Sequence, residues 1–107
     1  MSTYALTDLE RTALGRMFDL AEGFSGGSVR ARSLLCAWWN ATELGGFDFA
    51  DLWSFDDDHL AAVLTVINLI ARMPVGTYAD RWPEYADRMQ ALAQRRAAER
   101  KPRRRRK

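Results

Sequence analysis

Twelve consecutive residues, LAAVLTVINLIA from Leu60 to Ala71, carry only two polar side chains, Thr65 and Asn68. The run is well short of the roughly 20 residues needed to span a bilayer, so its apolar surface must be covered by protein. Asp56, Asp57 and Asp58 precede it, where a helix macrodipole rewards negative charge, and Pro74 stops it just beyond Arg72. A helix ending near Arg72 and apolar on nearly every side suits the centre of a small bundle. It equally suits the seam of a homodimer.

The rest of the chain reads as helices of the same bundle. Thr7 followed three residues later by Glu10 fits a capping box, and a helix from about Asp8 to Glu22 follows it. Leu6, Leu9, Ala13, Met17 and Leu20 make one stripe, which Leu14, Phe18 and Ala21 widen. GFSGG, Gly23 to Gly27, ends that helix, and Ser28 is the expected N-cap of a second over roughly Val29 to Asn40. The second half of that helix, LLCAWW, is apolar almost all round. Beyond Gly45 and Gly46, FDFADLW reads as a short helix capped by Asp48, because a lone strand at Phe47 and Phe49 would have no partner. The last helix starts near Pro83 and runs to Pro102, with Tyr85, Ala86, Met89, Leu92 and Ala93 as a thin apolar stripe and a polar far end expected to project. The fold expected is all-α, a bundle of four main helices with one short extra helix and a disordered basic C-terminus.

Charge divides this chain in two. From Met1 to Gln94 seven arginines face thirteen carboxylates, a formal charge of −6, whereas from Arg95 to Lys107 nine cations face Glu99, a charge of +8. The small total of +2 therefore hides an acidic domain, residues 1–94, whose last helix extends to about 100, and a basic extension, residues 95–107. About 95 residues suffice for one core hiding roughly 60 to 65% of the unfolded chain's surface, without a disulfide. Cys36 is the only cysteine and lies in an apolar run, as a reduced core thiol would. The N-terminus lacks a basic start followed by an apolar stretch, so a cytoplasmic protein is expected.

LLCAWWN, GGFDFADLW and LTVINLIAR together resemble an uncharacterised small domain family of proteobacterial mobile genetic elements, whether plasmid, conjugative element or phage. The resemblance covers about Ser33 to Arg72 and leaves out the arginine-rich end. It implies a bacterial, cytoplasmic setting linked to mobile DNA. It brings no catalytic residues with it.

Equipment for chemistry is sparse. His59 is the only imidazole, and one His with one Cys falls short of the three or four ligands of a zinc site, so no metal, no cofactor and no catalytic residue is assigned. The run Asp56 to Asp58 is accounted for by a helix start. Ser25, Gly26, Gly27, Ser28 and Arg30 form glycines before a helix start with a cation behind, which can cradle an anion through backbone N–H groups. A plain inter-helix loop is the alternative, and the Lys-Ser or Lys-Thr ending of a P-loop is missing.

Four tryptophans, Trp38, Trp39, Trp53 and Trp82, are many for so small a body; they serve either a core or a partner surface. Trp39 and Trp82 are the expected partner-facing pair, since neighbours such as Trp38 and Trp39 point about 100° apart on a helix. Arg95, Arg96, Arg100, Lys101, Arg103, Arg104, Arg105, Arg106 and Lys107 repel one another and are expected to contact an anionic partner or nucleic acid. The expected function is that of a non-enzymatic binding protein of a mobile element, an inhibitor of a host defence complex of the anti-CRISPR or antirestriction type. Its partner is then a protein or ribonucleoprotein. The alternative is an accessory protein that contacts DNA or RNA non-specifically through its basic end.

Overall fold

Residues 3–100 are described by the computed structural model. They form four α-helices, α1 (Asp8–Ala21), α2 (Gly26–Leu44), α3 (Asp57–Arg72) and α4 (Pro83–Arg100), with short 3-10 helices η1 (Phe49–Ser54) before α3 and η2 (Ala79–Arg81) before α4. No strand occurs among the described residues, and the protein is an all-α bundle of four main helices. The sequence reading has no counterpart for η2. The expected disorder of the basic end concerns residues 101–107 and lies outside the described residues.

Helix starts follow local chemistry. Both halves of the Thr7–Glu10 capping box form: the Glu10 N–H donates to Thr7 Oγ1 at 3.1 Å and the Thr7 N–H to Glu10 Oε1 at 2.9 Å. Asp48 caps η1 by accepting from the Ala50 N–H, and Asp56 caps α3 by accepting from the His59 N–H, each at 2.9 Å. At α2 the cap is Ser25, not Ser28. Ser25 Oγ accepts the Ser28 N–H at 3.0 Å, and the helix begins at Gly26, three residues before the expected Val29. Ser28 is buried in the first turn because the connection is tight: a Cβ on Gly23 would come within 2.7 Å of Ser28 Oγ.

At its other end α2 breaks where the sequence reading stops it. Asn40 leaves helical geometry (φ −167°, ψ 83°), and its Oδ1 accepts the Glu43 N–H at 3.2 Å, which starts one further turn to Leu44 in a new direction. Gly45 closes that turn at φ +90°, a conformation that L side chains rarely adopt.

The core gathers around α1. Ala13, Leu14, Met17, Phe18 and Ala21 are buried against α2 and α3, and Phe18 stacks on Tyr85 of α4 with ring centroids 4.9 Å apart. The central helix is therefore α1 and not α3. Although α3 is the more apolar in sequence, it packs chiefly on α1, through Ala62, Val63, Val66 and Leu69. It turns Ala61, Leu64 and Asn68 outward. An outer face on α3 follows from its two polar positions; α1 reaches the middle because Leu14, Phe18 and Ala21 widen its stripe enough to meet neighbours on more than one side. Leu9, at the stripe's first turn, is 69% exposed.

Helix α4 buries Tyr85, Met89 and Leu92, as its stripe requires. Its polar end does not project. Glu99 accepts two bonds from Arg32 of α2, at 3.1 and 2.9 Å, which ties the last turn of α4 to the bundle.

Candidate functional site

The cations that open the basic extension are spent inside the fold. Helix α1 has no basic residue in its last turn, and its C-terminal carbonyls are satisfied from elsewhere. Arg95 donates to Glu22 O at 3.0 Å and Gly23 O at 2.7 Å, and Arg96 donates to Leu44 O at 3.1 Å at the end of α2. The Arg100 guanidinium lies against Gly45, where an added Cβ would collide with it. Arg95 and Arg96, expected to contact an outside anion, close helix ends within the fold, and α4 continues past residue 95 to Arg100, as far as the sequence reading extends it. Lys101, Arg103, Arg104, Arg105, Arg106 and Lys107 lie outside the described residues.

The glycine loop is also largely absorbed. Ser25 Oγ is committed to the Ser28 N–H, the Ser25 and Ser28 hydroxyls face one another at 3.0 Å, and the Val29 N–H donates to Ser25 O at 3.2 Å. Gly26 and Gly27 lie inside α2 instead of before it. Arg30 turns toward Asp51 at 3.8 Å. What the sequence offers as an anion cradle is thus the first turn of a helix that caps itself.

Beside it sits the most buried charge among the described residues. Arg32 is 1% exposed and donates to Ala21 O at 2.6 Å as well as to both oxygens of Glu99. This cation closes α1, anchors α4 and starts on α2, so it is a joint of the bundle, where a fully enclosed charge needs such partners.

Three of the four tryptophans belong to the fold. Trp82 is 6% exposed, donates its indole N–H to Tyr4 O at 2.7 Å and packs near Trp38, which donates to Thr77 O at 3.0 Å. Trp82 as a partner surface is therefore corrected: η2 turns it inward, under the N-terminal segment. Trp39 is half-buried and meets Tyr78 edge-on, at 6.1 Å between centroids, beside the break at Asn40. The exposed tryptophan is Trp53, at 89%.

Trp53 is not the only large aromatic exposed on η1. Phe49 on the same short helix is 74% exposed and meets Phe47 edge-on at 6.2 Å. Asp48 and Asp51 neighbour these rings along the chain, and Asp56 to Asp58 follow at the start of α3. Phe55 takes the core position at the end of η1, and Leu52 is half-buried. A six-residue helix held by those two side chains has one side for the core and presents the other to solvent. The signal that could have located it in the sequence is the alternation of aromatic and acidic residues in FDFADLW, a pattern with too many aromatics for so short a helix to bury. The sequence reading makes FDFADLW a short helix capped by Asp48 and does not place Trp53 or Phe49 on a partner surface.

The titratable groups inside the bundle are set for structure. Burial raises the Cys36 thiol to about 11, and its Sγ lies 3.8 Å from Leu92 O, so it is a packed thiol rather than a nucleophile. The Arg72 guanidinium, bonded to both Glu10 oxygens at 2.6 Å, holds that carboxyl down at about 2 against the cost of burial. His59 Nδ1 lies 2.9 Å from Asp56, and the His59 N–H, followed by the ring, holds the Asp56 carboxyl below its usual range. No group of three or more His, Cys, Asp or Glu side chains placed to hold a metal occurs among the described residues, and none of their helices is long and apolar enough to cross a membrane.

One shallow apolar groove runs between α1 and α3, with a volume of about 210 Å³, floored by Ala13 and Ala62 and flanked by Leu9, Arg16 and Asp58. It is smaller than the pockets that enclose small-molecule ligands. No curated protein and no solved structure matches the chain. A family model does match, over residues 11–97, from the second turn of α1 to the last turns of α4, so that every helix of the bundle is included: the chain belongs to a family of unknown function (DUF7673).

Proposed function

We propose that this chain acts by contact, as a non-enzymatic binding protein of a bacterial mobile element that occupies a macromolecular partner's surface and so inhibits a host defence complex. The observation that carries the reading is the pair Trp53 and Phe49, two large aromatic side chains held out into solvent at 89% and 74% exposure by a helix whose other side is anchored in the core. Exposed aromatics on one short, anchored element have the composition of an interface centre, and the carboxylates that neighbour them in sequence favour a partner of opposite charge. A basic protein surface, of the kind that holds nucleic acid in a defence complex, has that charge. The proposed contact face is acidic and aromatic, and the cytoplasm is its setting.

The experiment is a phage or plasmid challenge of bacteria that carry a restriction or CRISPR system, with and without the chain. The full chain is expected to restore transfer or plaquing, and Trp53→Ala with Phe49→Ala to abolish that effect while leaving thermal stability unchanged. A chain without effect on defence, which shifts nucleic acid in a gel only while Lys101–Lys107 is present, would favour the accessory nucleic-acid protein instead. The specific observation on that side is the six cations in those seven residues. Removal of residues 95–100 does not separate the two readings, because Arg95, Arg96 and Glu99 hold the fold together.

A further inference from the structure

We propose that the groove between α1 and α3 seats a second copy of this chain, in a two-fold dimer that lays α1 of each copy over α3 of the other and pairs Arg16 with the second copy's Asp58. The groove offers both halves of such a contact. Ala13, Ala61 and Ala62 leave it hollow, and Leu9 at its edge is 69% exposed, so one surface carries a hole and a side chain able to fill one. Near Leu9 the Thr65 hydroxyl donates to Ala61 O at 3.0 Å within α3, which leaves that end suited to apolar contact. Arg16 and Asp58 also line the groove, one charge of each sign, and neither enters an ion pair among the described residues. Asp56, two residues before Asp58, is taken up by His59.

The direction of the two helices selects the symmetry. They run antiparallel, since Arg72 at the end of α3 bonds to Glu10 in the first turn of α1 and to Ala5 O just ahead of it. Arg16 therefore lies toward the start of α3, where Asp58 is, and Leu9 toward Thr65. A two-fold axis along the groove keeps every residue at its own level while it sets α1 of one copy opposite α3 of the other, again antiparallel. Arg16 then meets the second copy's Asp58, and Leu9 meets its Ala61 and Thr65, each contact made twice. An axis across the groove would instead bring Arg16 against the apolar end around Leu9. A face with one unpaired cation and one unpaired anion at the same end is complementary to itself, whereas a wholly basic or wholly acidic partner would leave one of the two opposed. The helices have 14 and 16 residues, so their outer sides span roughly 20 Å by 20 Å, about 400 Å² per copy, half of the roughly 800 Å² of a standard interface. The dimer is accordingly a weak one, governed by concentration. It does not rest on the function proposed above, because Trp53 and Phe49 do not line the groove.

Sedimentation of the full chain over about 5 to 500 μM tests the pairing, with a monomer–dimer equilibrium and a dissociation constant of order 10–100 μM expected. Arg16→Glu and Asp58→Arg each place two like-charge contacts in the dimer, and each alone should weaken it at least about tenfold. Mixed in equal amounts, the two variants should associate to within about threefold of the parent, because the mixed dimer restores both ion pairs. Both positions are exposed, and circular dichroism of each variant checks that it is folded before mixing. Leu9→Asp needs neither of them: it should abolish the dimer and leave helix content and thermal midpoint within error of the parent. A chain that stays monomeric throughout, or folded variants that remain monomeric when mixed, overturns the proposal. So does association that continues beyond dimers or is indifferent to Leu9→Asp. Loss of the dimer would leave the function proposed above standing, and a dimer without any effect on host defence would remove that function and leave the dimer.

Discussion

Arg32 shows how much of this fold hangs on one charge. It is enclosed, and its partners lie on α1 and α4, so removing it leaves Ala21 O without its donor and Glu99 without its cation. Arg32→Ala is expected to cost about 3–5 kcal/mol, the range for breaking one side of a buried pair, measured as a shift of the urea midpoint at constant slope. Arg32→Lys should recover little, since one ammonium cannot hold a carboxylate in two parallel bonds and reach a carbonyl as well. Glu10 and Arg72 make a second, more exposed joint between α1 and α3. The folded Glu10 carboxyl sits at about 2, below its ordinary 4.5, so its contribution is present above about pH 4.5 and is lost as pH falls toward 2. Glu10→Gln should therefore remove of order 1–2 kcal/mol of stability at neutral pH, discounted for Arg72's exposure, and flatten the acid limb of the stability curve between those values. An acid limb unchanged in the variant would assign acid sensitivity to other carboxylates.

At the level of elements, what the sequence revealed was local and what it concealed was tertiary. The capping box at Thr7, the cap at Asp48 and the stop before Pro74 each depend on residues within four positions of one another, and each stands where it was read, while Asp56, read as part of the first turn of α3, is its N-cap. Ser25 and Ser28 are equally good caps by type, and only the close approach allowed by Gly23 decides between them. The role of Arg95 was hidden for a different reason: the carbonyls it closes lie more than seventy positions away, on a helix whose own last turn lacks a cation. Trp82 and Trp53 were confused because pattern alone does not say which side of a short helix faces in. The turn after Asn40 is a further case, since it returns the chain toward α4 and ends on a residue that must be glycine. Gly45→Ala is expected to cost about 1–3 kcal/mol for the backbone alone, and more if Arg100 has no other place to go. A thermal midpoint within error of the parent would show that the Gly45 turn relaxes freely.

For the molecule as a whole, the division of charge falls later than composition implies. Among residues 3–100 ten arginines face fourteen carboxylates, a net charge of −4, while residues 101–107 hold six cations. The boundary that matters is therefore set by hydrogen bonding at the end of α4 and not by where arginine becomes frequent. This bears on how the full chain meets nucleic acid. A contact that neutralises Z phosphates on duplex DNA lowers log K against log salt with a slope of about −0.9Z, so nine cations would give a slope near −8 and six a slope near −5. Arg95 and Arg96 are occupied by carbonyls of α1 and α2, and Arg100 is packed on Gly45. Any duplex binding by the full chain is accordingly expected to show a slope no steeper than about −5, measured by titration at a series of salt concentrations. Arg95→Gln should leave that slope unchanged while lowering the unfolding midpoint, because its loss uncaps α1. A slope that becomes shallower by about one unit in Arg95→Gln would mean that the guanidinium leaves Glu22 and Gly23 for a phosphate, and that the end of α4 opens on binding.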